Sequence, residues 1–323
     1  MYKYLITGLS GFVGGHYLEH LAKVEPSAEV LGLDVTPLDP GRIPERLTVR
    51  SEKADLLHAE TVFTYIERFR PDYILHLASQ SSVAYSWHYP VDCFLNNTNV
   101  FLNIVEAVRK THTRCRILSI GSSEEYGNVD AADLPLKENS PLRPLSPYAV
   151  ARVSQEMLSQ IYSTGYGIDI IITRSFNHIG PGQNARFAIP SFIAQVIRSK
   201  LADQNDVTIK TGNLEIVRDF TDVRDVVRAY HLLLHGGHSG EIYNVCSGTG
   251  YRLGEIVEMI GKILEIDVHA EIDSNLVRPN DNPIIIGSND KLRLRTGWLP
   301  QYTLRETLAV MIETMNDEID PSS

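Results

Sequence analysis

Tyr148 and Arg152 stand four residues apart in Ser146-Pro147-Tyr148-Ala149-Val150-Ala151-Arg152, a spacing that puts a phenol and a permanent cation on one helix face. The phenol can exchange a proton with a reacting oxygen while the guanidinium holds charge beside it. Such a pair alone says little; its weight comes from the upstream sequence. Ser122 follows an apolar stretch, Arg116 to Ile120, that reads as a strand, so its hydroxyl lies at a carboxyl end and can donate to a carbonyl oxygen. The adjacent Glu124 and Glu125 read equally well as site carboxylates or as an exposed polar turn.

The elements that must position these groups begin at the amino terminus. Tyr2 to Thr7 reads as a strand, followed by Gly8-Leu9-Ser10-Gly11-Phe12-Val13-Gly14-Gly15 and by apolar Val13, Tyr17 and Leu21 at helical spacing. Strand, glycine turn and helix is the order a dinucleotide pyrophosphate requires: Gly8 turns the chain, Gly11 lets backbone approach phosphate, and Gly14 lets the helix press on the sheet. The helix opening at Phe12 and Val13 then offers unpaired N–H groups to the anion. The spacing is Gly-x-x-Gly-x-x-Gly, a departure from the general fingerprint.

A second strand, Glu29 to Leu33, ends in Asp34, about twenty residues past the glycines, where a carboxylate accepts the adenosine ribose hydroxyls. The same charge repels a 2′-phosphate, so NAD(H) is favoured, with NADP(H) accommodated to the extent that nearby Arg42 softens the repulsion. Asp34 reads alternatively as a cap for the loop after it. Asp55, with Leu56, follows a third strand and is placed to bond the adenine amino group; Leu77, Ala78 and Ser79 close the strand Tyr73 to Leu77 with small residues that let a cofactor lie across the sheet edge. Phe101, Ile104, Val105 and Val108 at helical spacing precede the Ser122 strand. This alternation predicts an α/β fold, a Rossmann-type doubly wound parallel sheet with its ligands at the carboxyl ends of the strands.

After the strand Asp169 to Arg174 the pattern becomes irregular, which predicts a smaller α/β substrate-binding lobe. The expected division is a dinucleotide domain over 1–174, a lobe over 175–323, and a segment near 212–248 returning to the first domain. His231, His235 and His238 read as a solvated helix end: no Glu follows His231 as in zinc peptidase helices, and Gly236-Gly237 displaces His238, so no metal is expected.

The 323 residues suffice for one such domain plus a lobe. A formal net charge of −10 argues against nucleic acid as partner. Cys93, Cys115 and Cys246 fit neither a metal spacing nor an even-numbered disulfide framework, which points to a reducing cytoplasm. No apolar run approaches membrane-spanning length and no signal-like leader precedes Tyr2, so a membrane is not expected. Only Asp317 to Ser323 reads as loose.

With Gly8, Gly11, Gly14, Asp34, Ser122 and Tyr148 in this order, the chain resembles the extended short-chain dehydrogenases/reductases of nucleotide-activated sugars. Stretches Ile117–Gly127, Thr173–Gln183, Gly212–Asp225 and Tyr243–Gly248 narrow the likeness to the GDP-4-dehydro-6-deoxy-D-mannose reductases, with the GDP-mannose 4,6-dehydratases as neighbours. The resemblance implies that Ser122 and Tyr148 handle the proton at the sugar C4 oxygen. It places Arg152 where the family keeps a lysine that holds the nicotinamide ribose; Arg preserves the charge but not the shape. It matches Glu124 to the base that removes the C5 proton in dehydratases, a glutamate that the reductases also retain. It assigns Arg218 and Arg278 to the diphosphate, Ser81 and Asn177 to the hexose, and pairing across a homodimer to the helices that carry Phe101, Val108, Met157 and Ile161. Core packing explains those four apolar residues equally well.

The implied activity is reduction of GDP-4-dehydro-6-deoxy-D-mannose at C4 with NAD(P)H. The alternatives are a 4,6-dehydratase with bound NAD(P)+, a C4 epimerase, or a nucleotide-sugar-binding protein whose turnover is lost through Arg152.

Overall fold

Apolar strands bounded by glycines and acids alternate with amphipathic helices over the first half of the chain. The computed structural model describes residues 1–202, 206–277 and 282–319, so Arg278 lies outside the described residues. The order opens with β1 (Lys3–Thr7), α1 (Phe12–Val24), β2 (Glu29–Asp34), β3 (Thr48–Lys53), α2 (Ala59–Phe69) and β4 (Tyr73–His76). Two short helices, α3 (Val83–His88) and α4 (Pro90–Phe94), lead through a π-helical turn, Leu95–Asn99, into α5 (Val100–Thr111). Then come β5 (Arg116–Ser122), α6 (Pro147–Tyr166), β6 (Asp169–Ser175) and β7 (Asn177–Ile179). The second half contains α7 (Ala188–Leu201), β8 (Asp206–Thr211), β9 (Val217–Asp222), α8 (Val223–Gly236), β10 (Ile242–Val245), β11 (Gly250–Arg252) and α9 (Leu253–Leu264). It closes with β12 (Asp267–Ile272), β13 (Ile284–Ile285), α10 (Asp290–Thr296) and α11 (Leu304–Ile319).

Seven strands make one parallel sheet in the order β10-β6-β5-β4-β1-β2-β3. On one face α1 and α8 pack Leu18, Leu21, Val226 and Leu233 against Tyr4, Ile6 and Leu75. On the other, α2 and α5 pack Val62, Ile66, Phe101, Ile104 and Val108 against Leu5, Ile74 and Ile117. Helices on both faces oblige the strands to be apolar on both sides, and each fully buried Leu, Ile or Phe contributes roughly 1.5–3 kcal/mol. Reversal of strand order between β1 and β4 creates the crevice at the carboxyl ends where such sheets hold ligands.

Smaller sheets follow toward the carboxyl-terminal half of the chain. The strand path β11-β9-β13, with β7 on β9, and the pair β8–β12 are the smaller sheets. They flank a separate core of α7, α9 and α11 that includes Ile193, Ile197, Ile256, Ile260, Leu308 and Met311. β10 joins the main sheet beside β6, with Tyr243 opposite Thr173.

Several local expectations need correction. Strand β5 runs through Ser122, because Ser122 pairs with Ser175 of β6. Phe101 and Val108 belong to the core, whereas Met157 and Ile161 are exposed on α6. Of the stretch expected to be loose, Asp317 to Ile319 continue α11, and residues 320–323 lie outside the described residues. His231 is mostly buried among Tyr17, His20 and Glu25, not at a solvated helix end. Cys93, Cys115 and Cys246 are free thiols. Among the described residues no helix is long and apolar enough to cross a membrane.

Candidate active site

The glycine turn leaves β1 at Gly8, whose φ of +71° disfavours any side chain, and a Cβ there would sit 2.7 Å from the Ala78 nitrogen. The crossing of the Gly8 and Ala78 backbones therefore requires glycine. Gly11 is the amino-terminal cap of α1 and offers no capping side chain, so the first N–H groups of α1 stay available to an anion. Asp34 ends β2 with one carboxylate oxygen accepting from Ser10 N and the other from Thr36 N, both at 3.0 Å. It thus caps the following loop and ties that loop to the glycine turn; lone pairs remain for a ribose. Arg42 closes over the same turn, donating to the carbonyls of Ser10 (2.9 Å) and Gly11 (3.2 Å). These residues fit a dinucleotide: an uncapped helix end for pyrophosphate, with a carboxylate and a guanidinium beside the turn.

Around that cradle lie the remaining predicted cofactor residues. Phe12 and Val13 are half-buried at the start of α1, and the Phe12 ring stacks on His178 with centroids 6.2 Å apart. Leu77 and Ala78 donate to Thr7 O and Thr7 Oγ1, holding the small-residue strand end against β1, and half-buried Ser79 follows. Asp55 is exposed and accepts from Leu57 N, an Asx turn ahead of α2, while Leu56 is buried and gives its carbonyl to Asn103. His76 is fully buried with Nδ1 bonded to Thr7 Oγ1; burial, then the charge of Arg152, lowers its pKa to about 3, so it is a neutral floor to the site.

Tyr148 lies in the first turn of α6 because Ser146 caps that helix, its Oγ accepting from Ala149 N, and Pro147 fills the first position. One turn on, Arg152 Nε donates to Tyr148 Oη at 3.2 Å. The guanidinium is 4% exposed and held from below: Nη1 donates to Ile120 O at 2.9 Å and to Gln155 Oε1 at 2.6 Å. Gln155 in turn donates to Ser119 Oγ and Ile120 O, so β5 sets the cation's position through two layers of hydrogen bonds.

Ser122 Oγ accepts from Glu124 N at 3.2 Å, which leaves its own proton to donate toward a ligand. Its backbone N–H donates to Glu125 Oε1 at 2.6 Å. Glu125 is fully buried, which rules out the exposed-turn reading for that residue. Gly121 makes room for it, since a Cβ there would lie 2.4 Å from Glu125 Oε1. Behind it Arg174 forms a bidentate pair with Glu156, both bonds 2.8 Å, with Glu125 Oε2 4.0 Å from Arg174 Nε. Burial, then the charge of Glu156, pushes the Glu125 carboxyl well above the usual range, so one cation serves two crowded carboxyl groups. Glu124 is half-buried and its carboxylate makes no hydrogen bond or ion pair among the described residues.

The residues expected to meet the sugar are less tightly clustered. Asn177 begins β7 beside Phe220 of β9, and Ser81 is exposed just after Ser79 and Gln80. Arg218 is buried within β9, with Nη1 donating to Val217 O. Gln155, Ser119 and the Arg174–Glu156 pair escape a reading of the sequence, although Gln155 and Glu156 are signalled as polar residues among the inward positions of α6. Asp219, embedded in one of the matching stretches, is structural: its carboxylate accepts from the N–H groups of Ser247, Gly248 and Gly287.

Comparison with known proteins agrees with this geometry. A family profile described as GDP-mannose 4,6 dehydratase matches residues 5–311. GDP-6-deoxy-D-mannose reductase of Pseudomonas aeruginosa is 31% identical, over 98% of both chains. The solved structure of RMD from Pseudomonas aeruginosa complexed with NADPH superposes with a TM-score of 0.85 at 30% identity, covering 98% of this chain and 100% of that one. UDP-glucose 4-epimerase of Thermotoga maritima, solved with UDP-glucose, gives a TM-score of 0.88 at 25% identity over 98% and 100%.

Proposed function

We propose, because this chain belongs to the extended short-chain dehydrogenase/reductase family, an NAD(P)-binding family that includes the GDP-mannose 4,6-dehydratases, that it reduces a GDP-bound 4-keto-6-deoxyhexose at C4. The observation that carries the reading is the 3.2 Å hydrogen bond from Arg152 Nε to Tyr148 Oη beside the carboxyl end of β5. It supports turnover rather than mere binding, since the replacement of lysine by arginine still delivers a cation to the phenol.

NAD(P)(H), when bound, supplies the hydride that C4 receives. Tyr148 Oη gives its proton to the C4 oxygen as alkoxide character develops, and Ser122 Oγ donates a hydrogen bond to the same oxygen. Arg152 Nε holds the phenol oxygen as it loses the proton, while Arg152 Nη2, which makes no hydrogen bond among the described residues, can donate to the nicotinamide ribose. Asp34 favours the unphosphorylated ribose of NAD(H), and Arg42 gives NADP(H) a foothold on the same turn. Arg218 and Arg278 are assigned to the substrate diphosphate, and Ser81 and Asn177 to the hexose.

The unpartnered carboxylate of Glu124 favours one second reading, a 4,6-dehydratase in which Glu124 removes the C5 proton. Incubation with GDP-mannose and no added cofactor separates the two. The reductase reading expects no reaction there, but consumption of NAD(P)H with GDP-4-dehydro-6-deoxy-D-mannose. Accumulation of a 4-keto product from GDP-mannose overturns it.

The assembly proposed is a homodimer through α3, α4 and α6, where Trp87, Val91, Phe94, Val150, Met157 and Ile161 are exposed together. A monomer mass by light scattering at micromolar concentration refutes it.

A further inference from the structure

We propose that Glu25, His231 and His235 bind a divalent transition-metal ion of the Zn2+ class at the amino-terminal edge of the main sheet. That edge is opposite the one that carries Ser122 and Tyr148: Glu25 follows the end of α1, His235 is in the last turn of α8, and Tyr4 and Tyr73 stand at the starts of β1 and β4. The site has no part in the reaction proposed above and does not rest on it.

The geometry is that of a metal's ligands already gathered. His231 and His235 are one helical turn apart on α8, with ring centroids 4.5 Å apart. Glu25 Oε1 lies 3.1 Å from His235 Nε2 and 3.8 Å from His231 Nε2, and one ligand atom of each of the three residues lies within 4.8 Å of the others. Bonds of about 2.0–2.1 Å at tetrahedral angles separate ligand atoms by about 3.3 Å, a value the two measured distances bracket. Closure asks for the three ligand atoms, all within 4.8 Å of one another, to draw in toward that spacing. The carboxylate that a zinc-binding helix pair needs is absent from α8 itself and arrives from the end of α1, more than two hundred residues earlier in the chain.

The surroundings supply the outer bonds that orient such ligands. Tyr4 Oη donates to Glu25 Oε2 at 2.8 Å, which leaves Oε1 to face the histidines. With Nε2 of His235 given to a metal, its proton resides on Nδ1, which faces Tyr73 Oη at 3.4 Å. A water molecule completes four-coordination, and Tyr4 stays in its outer role on Glu25.

The cluster is poorly explained as packing alone. Tyr17 Oη, His20 Nε2 and His231 Nδ1, none of them a ligand atom of the site, are buried beside it with no hydrogen-bond partner among the described residues, an arrangement that costs stability in an ordinary core. Two imidazoles and one carboxylate select Zn2+, Co2+, Ni2+ or Cu2+ over Mg2+ and Ca2+, which take oxygen ligands. His238 takes no part: its backbone N–H donates to Tyr243 Oη, beyond the Gly236-Gly237 break.

The test uses the untagged full-length chain, stripped with a chelator and titrated with Co2+ and then Zn2+. The proposal expects one equivalent of Co2+ to raise the visible d–d absorption of a four-coordinate ion, Zn2+ to abolish it, and either ion to raise the melting temperature. Glu25→Gln and His231→Gln are expected to weaken Zn2+ binding by at least about tenfold. His235→Ala, at the more exposed ligand, provides the same readout should either of those fail to fold. Absence of the bands and of a thermal shift in the unmodified protein overturns the proposal. So do bands of unchanged strength in the folded variants, which place the ion elsewhere.

Discussion

Replacing Arg152 by methionine removes the cation from Tyr148 while approximately keeping the side chain's length. The donor nitrogen lies 3.2 Å from the phenol oxygen, and at an effective dielectric constant of about 20 a full unit of charge there interacts with the guanidinium by about 5 kcal/mol. Only part of that charge develops while the proton is passing to the sugar oxygen. Half of it is worth roughly 2–3 kcal/mol, so kcat for ketone reduction is expected to fall about 10²-fold. The loss belongs in kcat, because the charge appears only as the reaction proceeds. Arg152→Lys restores a cation without the planar fork, and its kcat is expected to recover most of the loss. Both variants give up donation to Ile120 O or Gln155 Oε1, so each melts lower; leaving such a buried acceptor unpaired costs roughly 1–3 kcal/mol. Steady-state reduction monitored by NAD(P)H absorbance, well below the melting temperature of the least stable variant, separates the kinetic from the thermal effect. A folded Arg152→Met protein that keeps kcat within about threefold of the parent refutes the assignment of the cation to the phenol.

Two further outcomes follow from the same geometry. Arg42→Ala removes a guanidinium from the glycine turn beside Asp34, and the KM for NADPH is expected to rise about tenfold while that for NADH changes less than about threefold, the worth of one charge-assisted contact to a 2′-phosphate. Equal changes for both cofactors reduce Arg42 to a loop clamp. Glu106 receives bidentate donation from Arg109 at 2.8 and 2.9 Å and a third bond from Tyr162, and the Arg109 hydrogen bonds lead in lowering its pKa to about 2. A carboxyl whose folded pKa lies below its unfolded value of about 4.3 stabilises fully above that value and loses the contribution as pH falls toward about 2. Glu106→Gln is therefore expected to lower stability by about 1–2 kcal/mol at pH 7, a charge-assisted bond discounted for partial exposure, with the gap closing by pH 2–2.5 in urea titrations. A gap that persists unchanged at low pH contradicts the assignment.

Features that depend on short covalent intervals are legible in the chain alone. The Gly8, Gly11 and Gly14 spacing, the carboxylate at the end of β2, the Tyr148–Arg152 helix turn and the strand–helix alternation are all local periodicities, and local sterics translate them directly into a parallel sheet with a dinucleotide cradle. Long-range packing sets which way the chemistry-bearing side chains face and what holds them. Arg152 lies against Ile120 and Gln155 because β5 passes beneath α6. Glu125 is buried where a polar turn was equally legible, because Gly121 leaves room and Arg174 arrives from β6 to share its charge with Glu156. Phe101 and Met157, alike in hydrophobicity, separate into core and surface according to the face each helix turns to the sheet. The gathering of Glu25 with His231 and His235 had no signal at any fixed spacing, since the packing of α1 beside α8 sets that distance and the chain between them does not.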